Sequence, residues 1–115
     1  MDWKYENGRI YSVNENNELI AETNFVFKEN GEVDIDYTYV NPQLRGRGIA
    51  SKMMEVVAEY LRKNSLKATA TCSYANAWLK KHRELYSDII SKDLDNEVLA
   101  CKLDGRRDTE QQPWK

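Results

Sequence analysis

Between residues 9 and 40, apolar and polar side chains alternate in three short runs separated by turn residues. Arg9 to Val13 is the first run. Asn14-Glu15-Asn16-Asn17 follows it and is turn chemistry, because Asn side chains bond nearby backbone and tolerate left-handed conformations. In the second run, Glu18 to Phe27, residues Leu19, Ala21, Thr23, Phe25 and Phe27 share one face at period two. Glu29-Asn30-Gly31 contains Asn-Gly, the strongest short-range hairpin signal. Glu32 to Val40 then alternates again. Val33, Ile35, Tyr37 and Tyr39 face one way, and Asp34, Asp36 and Thr38 the other. Three strands joined by such short turns form an antiparallel meander.

The period changes at Gly48. From there to Lys63, Ile49, Met53, Val56 and Tyr60 fall on one stripe, widened by Ala50, Met54, Val57 and Leu61, which is the pattern of an amphipathic helix. Lys63-Asn64 supplies a cationic end and a cap. Leu66 to Cys72 reads as a fourth strand. A helix links it to the third strand, so those two strands are expected to be parallel. Tyr74 to about Ile90 is predicted as a second helix, with Trp78, His82, Leu85 and Ile89 at helical spacing and Ser73 as its N-cap. Asn96 to Leu103 would be a closing strand. The expected order is β-β-β-α-β-α-β in a mixed sheet, an α+β or α/β fold. The expected domain is residues 1–103, and the polar, unpatterned residues 104–115 are expected to form a disordered tail.

Composition narrows the setting. With 41% hydrophobic and 31% charged residues, the chain has the makings of a folded domain with one core. A net charge of −2 argues against a nucleic-acid partner, which usually requires a basic excess. No apolar run approaches the ~20 residues of a membrane span. The first ten residues contain no apolar signal core, so no membrane partner and a cytoplasmic location are expected. Cys72 and Cys101 are far apart and read as free thiols in a reducing compartment. One His and two Cys do not make a metal site, and no metal is expected.

The candidate chemistry concentrates in Val40-Asn41-Pro42-Gln43-Leu44-Arg45-Gly46-Arg47-Gly48-Ile49-Ala50. A strand ends at its start and a helix begins at its end. The first-turn N–H groups of a helix have no helical partner and the helix dipole is positive there, so such a junction is suited to hold phosphate. Gly46 and Gly48 admit close backbone approach, and Arg45 and Arg47 add positive charge. No GxxxxGK[ST] string occurs, and Ser51 stands where a dinucleotide-binding GxGxxG would need its third glycine.

What remains resembles the acyl-CoA pyrophosphate loop of the GNAT superfamily of N-acyltransferases. The carrying residues are Gln43-x-x-Gly46-x-Gly48, within Val40-x-Pro42-x-x-Arg45-Gly46-x-Gly48-Ile49-Ala50. The resemblance covers residues 5–103. It implies acetyl-CoA as acyl-donor substrate and an unidentified amine acceptor, either a small molecule or a protein amine. It places the pyrophosphate on the amides from Leu44 to Ala50, flanked by Gln43, Arg45 and Arg47. It puts the thioester carbonyl against a backbone N–H near Tyr39 or Val40, where the strand is expected to bulge. Asn76 would bond the pantetheine or phosphate region. The helices usual between the first two strands are missing, because Asn14–Asn17 is only a turn. The chain is therefore similar to the short, YjdJ-type GNAT-like subfamily, whose pattern includes a Cys ending the fourth strand and a later His-Pro-Glu-Tyr. Here Cys72 stands at that strand end, and His82-Arg83-Glu84-Leu85-Tyr86 replaces the second motif without its proline and one residue longer.

Cys72, Tyr74 and Tyr86 are the catalytic candidates. Cys72 ends a strand before a helix N-terminus, a position that favours thiolate. It would take the acetyl group itself, or contact the thioester, or simply continue the apolar face of Leu66, Ala68 and Ala70 as most free cysteines do. Tyr74 or Tyr86 would protonate the leaving thiolate, the usual role of a GNAT tyrosine. Asp34 and Asp36 would bind a cationic acceptor or relay its proton, or stand as solvated charges. His82 reads as packing. The alternative to a transferase is an acetyl-CoA-binding protein with little or no turnover, a sensor or adaptor.

Overall fold

The computed structural model describes residues 1–96. Five strands form one sheet in sequence order: β1 Lys4–Glu6, β2 Arg9–Val13, β3 Leu19–Phe27, β4 Val33–Val40 and β5 Ala68–Ala70. The first three pairings are antiparallel and β4–β5 is parallel, as a helical crossover requires. The crossover is α1, Ile49–Lys63, with Gly48 as its N-cap. After β5 come α2, Ser73–Lys81, and the single turn α3, Arg83–Tyr86.

One core holds these pieces together. Met53, Met54, Val57 and Leu61 of α1 are fully buried against Ile10, Ala21 and Phe25 of the meander and Val33 and Ile35 of β4. Burying each such side chain contributes about 2 kcal/mol of transfer free energy. Tyr60 of α1 stacks on Tyr5 of β1, with ring centroids 5.8 Å apart, so α1 reaches across the whole sheet. α2 packs beside α1 through Ala75, Trp78 and Leu79, and the Trp78 indole N–H donates to Ser51 Oγ at 2.9 Å.

Four expectations need correction. First, the sequence pattern did not announce β1. Its three residues are all exposed and carry no periodicity, and it exists by pairing with β2. Second, the helix predicted from Tyr74 to Ile90 is broken. His82 departs from helical geometry at φ −107°, ψ 26°, and its Nδ1 lies 2.9 Å from the Trp78 carbonyl, the same oxygen its backbone N–H bonds. Beyond the break Arg62 grips Asp88, and Ile90 bridges Ala68 beside β5. A straight helix could not satisfy both tethers. Leu85, placed on the apolar stripe by spacing alone, is 69% exposed. Ser73 is the first residue of α2, and Cys72 is its N-cap.

Third, β3 and β4 do not keep one alternation. Phe25 pairs with Ile35 and Asn24 with Tyr37, so Asp36 has no partner on β3. This one-residue bulge reverses the facing of everything after it. Thr38 and Val40 join Ile35 on the α1 side, opposite Thr23 and Ala21, whereas Tyr37 and Tyr39 turn to the other face. Fourth, the ladder between β4 and β5 is shorter than expected. It runs only from Val33–Ala68 to Ile35–Ala70, within a strand predicted over residues 66–72. The predicted closing strand begins at Asn96, which sits in the 3-10 turn Leu94–Asn96; the rest of that strand and the tail lie outside the described residues.

Candidate active site

The bulge and the short ladder act together. The Cys72 N–H donates to the Ile35 carbonyl at 3.1 Å, and past that bond β4 and the chain leaving β5 part. The gap is a cavity of about 280 Å³. Its walls are Asp36 to Val40 on one side and Cys72, Ser73 and Tyr74 on the other, with Arg45 and Ala50 at one end. The lining is mostly apolar with a few polar groups, which is usual for a small-molecule site.

At that end stands the glycine loop. Asn41 Oδ1 accepts the Gln43 N–H at 3.0 Å and starts a 3-10 turn, Pro42–Leu44. Gly46 and Gly48 both adopt left-handed φ, +86° and +76°, and no protein atom lies within 4 Å of where a Cβ would stand on either. Their requirement is therefore conformational, and the space beside them is free. Among the described residues, none of the six successive N–H groups from Gly46 to Ser51 donates to a protein acceptor. Gly48 caps α1 with no side-chain bond. Neither Arg45 nor Arg47 has a carboxylate partner among the described residues; Arg45 Nε donates to the Val40 carbonyl at 3.2 Å. Unpaired amides, a helix N-terminus and two guanidinium groups are the kinds of group that an anion would need, and this junction brings them together.

A family model described as GCN5-related N-acetyl-transferase matches residues 10–89. A GCN5-like protein of Staphylococcus aureus, solved in solution by NMR, is 33% identical over 78% of this chain and 87% of its own, with a TM-score of 0.65. The chain belongs to the GCN5-related N-acetyltransferase family. Two crystal structures are also similar. A ribosomal-protein-alanine N-acetyltransferase of Brucella melitensis is 21% identical, covering 75% of this chain and 64% of its own, at a TM-score of 0.46. A predicted acetyltransferase of Clostridium acetobutylicum solved with acetyl-CoA is 19% identical, covering 92% and 62%, at 0.48. No curated protein matches the chain.

Within this GNAT domain, the candidates from sequence separate into groups. Tyr39, Val40, Arg45, Ala50, Cys72 and Tyr74 line the cavity. Gln43, Leu44, Gly46, Arg47, Gly48 and Ile49 form the adjoining loop. The bulge lies at Asp36, not at Tyr39 or Val40 where it was expected. Asn76 is only 2% exposed. Its side chain donates to the Ala70 carbonyl at 3.0 Å and its N–H to the Cys72 carbonyl at 2.9 Å, so it ties β5 to α2 inside the protein. Tyr86 does not line the cavity. It packs on Trp78 at 5.3 Å, and the Arg62 guanidinium lies over its ring.

Cys72 is half-buried, and its Sγ lies 3.4 Å from Thr38 Oγ1. Tyr74 is 39% exposed, and burial, with Cys72 adding to it, raises its hydroxyl above the ordinary tyrosine value. It therefore holds its proton at neutral pH. The two aspartates have different surroundings. Asp34 is buried and accepts from Thr69 and Thr71, both at 2.7 Å. Asp36 is exposed on the cavity wall. Desolvation raises its carboxyl above the ordinary range; its own backbone N–H offsets this in part, and Asp34 adds to it.

Reading the sequence left out Thr38, Tyr37 and Ser73 as site residues, with alternation putting Thr38 on a solvated face, and it took Asp36 as either an acceptor contact or a solvated charge. Thr23, opposite Thr38, has the one buried side-chain polar atom without a partner among the described residues.

Proposed function

We propose that the protein transfers the acetyl group of acetyl-CoA to an amine, with the donor lying in the cavity where β4 and β5 part. The observation that carries this reading is the continuity of cavity and loop: Arg45 and Ala50 belong to both, and six unpaired N–H groups follow directly. The pyrophosphate would sit on the amides of Gly46 to Ser51, with Arg45 and Arg47 beside it. The pantetheine would run between Tyr39–Val40 and Cys72–Tyr74. In the reaction the amine nitrogen attacks the thioester carbonyl carbon, the C–S bond breaks, and the proton shed by the amine is balanced by one supplied to the thiolate. Tyr74, protonated at neutral pH and on the wall beside Cys72, is suited to supply it.

Cys72 serves this reading as a wall group held by Thr38, or as an acceptor of the acetyl group before the amine. Intact mass after incubation with acetyl-CoA separates the two: a gain mapping to Cys72 marks the covalent route. A second reading is supported by the bare turn that joins β2 to β3, where the resemblance to other GNAT proteins would place helices that wall the acceptor site. In that reading the protein binds acetyl-CoA and turns over little. Release of free CoA that rises with added amine supports transfer; binding without amine-dependent release supports the second reading.

A further inference from the structure

The cavity has a closed end. Val40 lies beside the glycine loop, and Asp36 stands four residues back along β4, roughly 13 Å away at the rise of a strand. Near Asp36 the two walls are tied together. The Cys72 N–H donates to the Ile35 carbonyl at 3.1 Å, directly after the last ladder pair, Ile35–Ala70. A second link crosses the gap between side chains, where Thr38 Oγ1 and Cys72 Sγ lie 3.4 Å apart. That separation is itself van der Waals contact, so no further atom fits between the two groups. Neither side of the contact is free to retreat. Thr38 stands in register with Thr23, and Thr23 with Ile10, both fully buried. The Cys72 backbone is held by Ile35 through its N–H and by the Asn76 N–H through its carbonyl, at 2.9 Å. Asn76 is fixed in turn by its side-chain bond to the Ala70 carbonyl.

We infer that the Thr38–Cys72 contact is the floor of the acyl pocket and restricts the donor to short acyl groups, acetyl in preference to butyryl. The inference rests on the reading that the acyl donor lies in this cavity with its diphosphate on the loop from Gly46 to Ser51. A donor anchored there points its thioester down the cavity toward the closed end. Each methylene added to the acetyl group must then displace Thr38 or Cys72. Forcing methylenes into packed walls is unfavourable, whereas the same methylenes gain from burial once room is made. The bulge decides which residue meets the thiol. Without the skipped residue, alternation would carry Tyr37 and Tyr39 onto the face of Ile35, and Thr38 would turn away. With it, the short Thr38 side chain meets Cys72, and the gap stays open above the contact.

The test is calorimetric titration of the full chain with CoA, acetyl-CoA and butyryl-CoA. The parent should bind butyryl-CoA about tenfold more weakly than acetyl-CoA, as expected for overpacked methylenes. Thr38→Ala removes a hydroxyl and a methyl group, which makes room for the added carbons of butyryl. It should bring the ratio of the two dissociation constants to about threefold or less. Cys72→Ala should act in the same direction and by less. Thr38→Val keeps the bulk of the side chain and should keep the ratio of the parent, which separates filled space from the hydroxyl–thiol bond. The ratio is read within each variant, so a general loss of affinity or stability does not move it. Butyryl-CoA bound as tightly as acetyl-CoA by the parent, a ratio unmoved by Thr38→Ala, or a ratio lost equally in Thr38→Val would overturn the inference and leave the donor reading in place. Failure of the parent to bind even CoA would overturn the donor reading itself, and the floor with it.

Discussion

The two halves of β4 differ by one residue of register and have opposite uses. Val33 to Ile35 is paired on both sides, fully or nearly buried, and part of the core. Tyr37 to Val40 is paired only with β3, half-buried or exposed, and forms a cavity wall. Asp36, the bulge residue, separates them. An uninterrupted strand would have continued the parallel ladder with β5 and filled the gap. The extra residue swings the later half away and exposes both its faces to one cavity. The lesson is that a site can be opened inside a sheet by a local backbone device, without a loop or a lid.

The largest effect should come from the loop that the second half feeds. Gly46→Glu places a carboxylate where phosphate is proposed to bind and a Cβ where φ is +86°. Acetyl-CoA binding by calorimetry should fall more than about 100-fold, with circular dichroism retained and a stability cost of about 1 kcal/mol from the left-handed φ. Next, the halves should respond oppositely to truncation. Ile35→Ala should lower unfolding free energy in urea by about 3 kcal/mol. Tyr39→Ala should lower it by at most about 1 kcal/mol while weakening acetyl-CoA binding. Equal destabilisation by the two would erase the distinction.

Smaller effects sharpen it. Cys72→Ala removes the thiol that meets Thr38 across the cavity. Amine-dependent CoA release should drop about tenfold with donor binding little changed; unchanged release would leave the thiol as packing. The smallest effect concerns pH. The folded state raises the Asp36 carboxyl above its unfolded value, so it disfavours the charged form. Stability is therefore lost above the unfolded value near 3.8 and not below it. Asp36→Asn should raise the melting temperature slightly at pH 7 and leave it unchanged near pH 3.

Much of this was legible in the sequence. The three meander strands, α1 and the glycine loop came from periodicity and turn chemistry, because each is specified by its own residues. The bulge was not legible: Val33-Asp34-Ile35-Asp36-Tyr37-Thr38-Tyr39 alternates without a break, and only the pairing with β3 shows that one residue is skipped. Hence Thr38 was assigned to the wrong face, and Asp36 was read together with Asp34 rather than as the bulge residue. The break at His82 was hidden for a similar reason. Helical spacing continues to Ile89, but the tethers Arg62–Asp88 and Ala68–Ile90 come from distant elements. Asn76 and Tyr86 carried motif resemblance, yet tertiary packing uses the first to join β5 to α2 and the second to cover Trp78.

The central claim is that the gap beyond the bulge, together with the loop from Gly46 to Ser51, holds the acyl donor. Calorimetric titration of acetyl-CoA into the full chain tests it most directly. The account predicts one molecule bound per chain with micromolar affinity, lost in Gly46→Glu. Absence of binding by the parent chain, or equal binding by the variant, would contradict it.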